Sequence, residues 1–126
     1  MEPQEKGKLP EIEKIQEKTI ESISYIICAQ IKNTYELDQH PYYKVLHNAG
    51  ILNQIFGYLT SAEQKTNETR AYAAVILGLV YQGIQIPDGM INQIMFALAN
   101  QLNLGSTEKL QTYILETLYV IARLIS

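Results

Sequence analysis

The sequence predicts an all-α fold, on three observations. Apolar residues recur three or four positions apart over most of the chain, the spacing of one helix face. No strict apolar–polar alternation lasts long enough to make a strand. Pro10, Pro41, Gly50, Gly83 and Gly105 stand where the periodic pattern starts or breaks. With 126 residues, 47% of them hydrophobic, the chain has the size of one domain and enough apolar material for a core.

The elements follow in order. Residues 1–9 are charged and are expected to form a flexible tail. Pro10 suits a first helical turn, and Glu11 and Glu13 follow where the helix dipole favours anions. Ile12, Ile15, Ile20, Ile23, Ile27 and Ile31 then continue a helix to Lys32. Asn33 to Pro41 is expected as a loop, with His40 kept out of helix by the proline after it. A short helix over 42–47 breaks at Asn48-Ala49-Gly50, and another runs to about Thr60. After a polar loop from Ser61, Thr66 or Asn67 caps an apolar helix to Gln82 that stops at Gly83. A helix from Asp88 to about Leu102 and a last one from Glu108 to Ile125 complete the chain.

Charge is unevenly placed. The formal net charge is −3, and residues 1–40 carry all of it, with eight acids against five Lys. Between Arg70 and Glu108 lie 37 residues whose only charged side chain is Asp88. Exposed helix faces are normally charged, so this stretch implies either a surface solvated through its amides or one covered by protein. Only two of the ten basic residues are Arg and none form a basic face, so nucleic acid is not an expected partner. The longest apolar run, Ala71 to Tyr81, is far short of the roughly 20 residues that span a membrane. No secretory leader pattern is visible at the N-terminus, and a cytoplasmic location, with the cytoskeleton one setting for it, is the expectation.

The chain also resembles itself. Gly50-Ile51-Leu52-Asn53-Gln54-Ile55-Phe56-Gly57-Tyr58-Leu59 aligns with Gly89-Met90-Ile91-Asn92-Gln93-Ile94-Met95-Phe96-Ala97-Leu98 at an offset of 39. Ala74, Leu77, Val80 and Tyr72 fall on Leu115, Leu118, Ile121 and Tyr113 at an offset of 41. A period near 40 with two or three helices indicates stacked helical repeats. Residues 42–61 resemble the first two helices of an armadillo repeat, which turn at an Ala-Gly, and Ala74, Leu77 and Val80 resemble its third helix. The resemblance implies a short right-handed armadillo- or HEAT-like α-solenoid of about two and a half repeats. Residues 10–33 would form a leading helix, and 41–83 and 84–126 the two repeats of one domain over 10–126. The glycine at the head of each second helix is expected to permit a steep turn and a close backbone contact.

Armadillo arrays bind partners along a groove lined by their third helices. On that resemblance the partner-binding residues are Tyr72, Ile76 and Leu79, with Tyr113, Glu116, Thr117 and Val120 in the following repeat. The chain has no Trp, and Leu79 and Val120 take the place of the family's peptide-clamping Asn, so a basic peptide is not the expected ligand. The last helix is apolar over much of its circumference, Leu110, Tyr113, Ile114, Leu115, Leu118, Tyr119, Val120 and Ile121 among them. It is expected to dock on another protein or on a second copy.

Chemistry finds little footing. One cysteine, Cys28, lies in an apolar helical segment and reads as buried structure rather than a nucleophile. His40 and His47 match no metal spacing, no phosphate loop occurs, and no cofactor or metal is expected. Asn67-Glu68-Thr69 reads as a helix start. The expected function is therefore a non-catalytic protein–protein interaction module that binds a protein or peptide. The alternative is a structural subunit buried in a large assembly of cytoskeletal or axonemal type.

Overall fold

The computed structural model describes residues 3–31, 39–61 and 66–125. These form six α-helices and no strand: α1 (Pro3–Ile31), α2 (Tyr43–Asn48), α3 (Ile51–Thr60), α4 (Asn67–Val80), α5 (Asp88–Leu104) and α6 (Glu108–Ile125). The loops expected over 33–38 and 62–65, and the acid pair Glu36 and Asp38, lie outside the described residues.

Helix α1 starts at Pro3 rather than Pro10, so residues 3–9 extend the leading helix instead of standing apart from it. Pro3 suits the first turn for the reason argued for Pro10: its missing N–H has no partner there in any case. Pro10 inside the helix leaves the carbonyl of Lys6 without its usual donor.

The recurring isoleucines of α1 divide between two faces. Ile20 and Ile27 are buried with Ser24 and Cys28, whereas Ile12, Ile15 and Ile26 are 47%, 66% and 53% exposed. The packed face lies against α4, which is the centre of the molecule. Helices α1, α3, α5 and α6 all pack on α4, and every residue from Ala71 to Val80 is buried. A helix apolar on all sides needs such a surround. Its start is fixed by Thr66, whose Oγ1 accepts the N–H of Thr69 at 3.0 Å. Gly83, at φ +75°, marks the stop expected there.

Two glycine expectations change. Gly50 joins α2 to α3 at φ +74°, a region open to glycine at little cost, yet a Cβ there would meet nothing within 4 Å. The turn, not a close contact, requires it. Gly89 has no positive φ, lies second in α5, and a Cβ there would also meet nothing. The shared glycine of the two aligned segments therefore serves a turn in one and no special geometry in the other.

His40 ties the start of α2 to α1. Its side chain is 1% exposed, Nδ1 lies 3.1 Å from the backbone N of Tyr42, and Nε2 lies 3.2 Å from the carbonyl of Ile27. A backbone N–H can only donate, so Nδ1 accepts and the ring proton sits on Nε2, donating to Ile27. Burial lowers the pKa below the ordinary 6.5, partly offset by the Ile27 carbonyl. Below about pH 6.5 the unfolded chain takes up a proton that the folded chain refuses, so stability falls with pH until the folded imidazole also titrates. Thermal melts at about pH 5 and about pH 7.5 should show this acid-side loss, and it should shrink in His40→Gln.

Candidate protein-binding surface

Helices α1, α4 and α6 meet at three tyrosines. The ring of Tyr25 lies edge-on to Tyr72 at 6.1 Å and tilted against Tyr113 at 5.7 Å. The Tyr25 hydroxyl donates to the Glu21 carboxylate, and Lys109 Nζ sits 3.9 Å from the Tyr25 ring centre. That hydrogen bond, followed by burial, raises the Tyr25 pKa; burial does the same for Tyr72 and Tyr113. All three phenols therefore stay protonated well past neutral pH. They act as packing and hydrogen-bonding groups, with a cation–π contact closing the top.

This arrangement decides where the seven expected site residues stand. Tyr72, Ile76, Leu79 and Thr117 are at most 4% exposed, so they form core rather than the floor of an open groove. The physical reason is that α1 and α6 both pack on α4 and their tyrosines meet across Tyr72. Tyr113, Glu116 and Val120 are half-buried at the edge of α6. Tyr72 and Tyr113 are brought together through Tyr25, which lies 47 and 88 residues away in sequence and shares no repeat spacing with them. Thr117 is held against α4 at Gly78, and its Oγ1 donates to the carbonyl of Tyr113 at 2.7 Å.

The open surface lies elsewhere. Met90, Ile94, Ala97, Leu98 and Gln101 are the buried residues of α5. On the other side Asn92, Gln93, Met95, Phe96, Ala99, Asn103 and Leu104 are exposed. Not one of these is charged, and Phe96 and Leu104 are 71% and 59% exposed. The run of 17 helical residues makes this face about 25 Å long. At its edge a cleft of about 150 Å³ opens between α3, α4 and α5, lined by Leu59, Asn67, Arg70, Gln93, Phe96 and Asn100. Arg70 is oriented there by its Nη2, which donates to the carbonyl of Ser61 at 3.0 Å. The cleft thus offers amide donors and acceptors beside an aromatic ring, the mix that suits a peptide segment.

Helix α6 adds a smaller exposed patch. Leu110, Ile114 and Ile121 are buried, while Leu115 and Tyr119 are 58% and 56% exposed. Arg123 shields Tyr119 in part, its Nη1 donating to the phenolic oxygen at 3.1 Å.

Among the described residues no group of three or more His, Cys, Asp or Glu side chains is placed to hold a metal ion. Cys28 is buried, with 2% exposed. No described helix is long and apolar enough to cross a membrane. Comparison with known proteins finds no matching family model, no matching curated protein and no matching solved structure. What the fold and surface define is a helical protein with an uncharged, partly apolar outer face.

Proposed function

We propose that this chain is a non-catalytic protein–protein interaction module that binds a protein or peptide on the outer face of α5. One observation carries the reading: from Gly89 to Thr107 no residue is charged, yet this segment presents Met95, Phe96 and Leu104 to solvent. An exposed helix face without charges gains little from water, whereas exposed aromatic and apolar residues ringed by amides gain from contact with protein. The architecture we propose is a short right-handed armadillo- or HEAT-like α-solenoid. The packing of α4 between α1 and α6, and on α3 and α5, supports it, since neighbouring repeats would stack their second and third helices in that way. On this reading the binding face is the second-helix side.

A photoreactive residue in place of Phe96 should crosslink a protein from native extract, while the same residue in place of Gln111 should not. Phe96→Lys should abolish capture without changing the melting temperature, because the side chain is 71% exposed. A folded Phe96→Lys variant that still captures the same protein overturns the proposed surface.

A structural subunit of a larger assembly is the second reading. Exposed large apolar residues on α1, α2, α5 and α6, among them Ile15, Val45, Phe96 and Leu115, favour it. A chain that aggregates alone and is dissolved by its neighbours would decide for it.

A further inference from the structure

The outer side of α1 carries six exposed residues, Ile12, Ile15, Thr19, Ser22, Ile26 and Ala29, at successive spacings of 3, 4, 3, 4 and 3. That alternation is the seam of two helices that pack side by side, with Ile12, Thr19 and Ile26 at one core position and Ile15, Ser22 and Ala29 at the other. The opposite side of α1, through Ile20, Ser24, Ile27 and Cys28, is already buried in the fold. The seam is therefore additional to the packing that holds the chain together. It is also independent of the reading given to α5.

We propose that this seam pairs with the same seam of a second copy, antiparallel, about a two-fold axis between Thr19 and Ser22. In antiparallel pairs the two kinds of core position face each other. Ile12 then meets the partner's Ala29, Ile15 meets the partner's Ile26, and Thr19 meets the partner's Ser22. Each contact is repeated by symmetry, as a two-fold interface requires. Ile12 fills the space that Ala29 leaves, and the two hydroxyl residues sit together at the axis.

A parallel pair is a poorer match, because it would set Ala29 against Ala29 and leave a gap. In the antiparallel pair Lys18 approaches the partner's Glu21. Lys18 already lies 3.9 Å from Glu21 of its own chain, with an 81% exposed side chain free to turn between the two. Opposed helix dipoles favour the same orientation. From Ile12 to Ala29 the seam is about 26 Å long, so the interface is small and the dimer reversible, with a dissociation constant roughly micromolar or weaker.

Sedimentation of the full chain over a concentration series tests this. The average mass should rise from monomer toward dimer. Ile15→Glu and Ile26→Lys should each weaken the dimer by roughly tenfold or more, since each leaves a charge facing isoleucine. The double substitution should restore it, because the introduced carboxylate and ammonium then face each other across the interface twice. Within one chain these positions are about 16 Å apart along the helix and cannot pair. Melting curves recorded at concentrations low enough for every chain to be monomeric should be unchanged in all three variants. A chain that stays monomeric throughout, a dimer indifferent to the single substitutions, or a double substitution no better than the singles each overturns the proposal.

Discussion

Replacing Ile76 by Ala should lower the unfolding free energy by about 2–5 kcal/mol, the range for truncating a fully buried aliphatic residue. Ile76 is 0% exposed and belongs to the segment of α4 on which four helices pack. The cost has two parts: lost transfer of the removed methyls from water, and a cavity that the surrounding helices fill only in part. Ile76→Asp goes further, because an unpaired carboxylate in the core costs several kcal/mol more and the variant should not fold. Val120→Ala, at a half-buried position expected from the sequence to share the groove with Ile76, should cost about 1 kcal/mol or less. Urea titration followed by circular dichroism measures all three. A groove residue would behave in the opposite way, tolerating both changes with stability intact and losing only ligand. A stable, folded Ile76→Asp chain would therefore reopen the face of α4 as a binding surface.

The contrast between Ile76 and Phe96 shows what could be read from the residues and what could not. Helix positions came from short-range chemistry. Thr66 caps α4 as expected, α6 runs from Glu108 to Ile125, and α3 ends at Thr60, because caps, prolines and glycines act within a few residues. The charge-poor stretch after Arg70 was also legible, and the structure divides it into two surfaces. The α4 half is buried and so needs no charge; the α5 half is half-exposed and carries none beyond Asp88 at its first residue.

Which side of a helix is covered depends on residues distant in sequence, and periodicity does not carry that. Tyr72 is core because Tyr25 reaches it from α1, with Tyr113 of α6 packed on Tyr25 in turn. In α1 the isoleucines fall into a buried set and an exposed set. The 3-4-3-4-3 seam through Thr19, Ser22 and Ala29 was present in the sequence, hidden because only its isoleucines are apolar enough to draw notice. The aligned glycines mislead for a related reason: identity at Gly50 and Gly89 records a residue, whereas φ records its task.

Gly78→Ala should destabilise the protein by about 1–3 kcal/mol, although alanine is the better helix former by about 1 kcal/mol. A Cβ at Gly78 would lie 2.5 Å from Thr117 Cγ2 and 3.2 Å from Ile121 Cδ1. The first contact is impossible without movement. Thr117 is 0% exposed, β-branched and held by its hydroxyl on the carbonyl of Tyr113, so it has no rotamer to escape into. Helices α4 and α6 must then separate, and the separation opens space along the rest of their contact. Thr117→Ser removes the offending methyl while keeping the hydroxyl, so in the Gly78→Ala background it should recover most of the loss. Alone, it should cost about 1 kcal/mol for the lost methyl. The double-mutant cycle should therefore give a coupling of about 1–2 kcal/mol in favour of the pair. Thermal melts read this as several degrees, at about 3–6 °C per kcal/mol for a chain of this length. Additive effects would mean that α6 does not approach α4 at Gly78. Gly78→Ala alone raising the melting temperature would mean the same, since helix propensity would then act without the steric conflict.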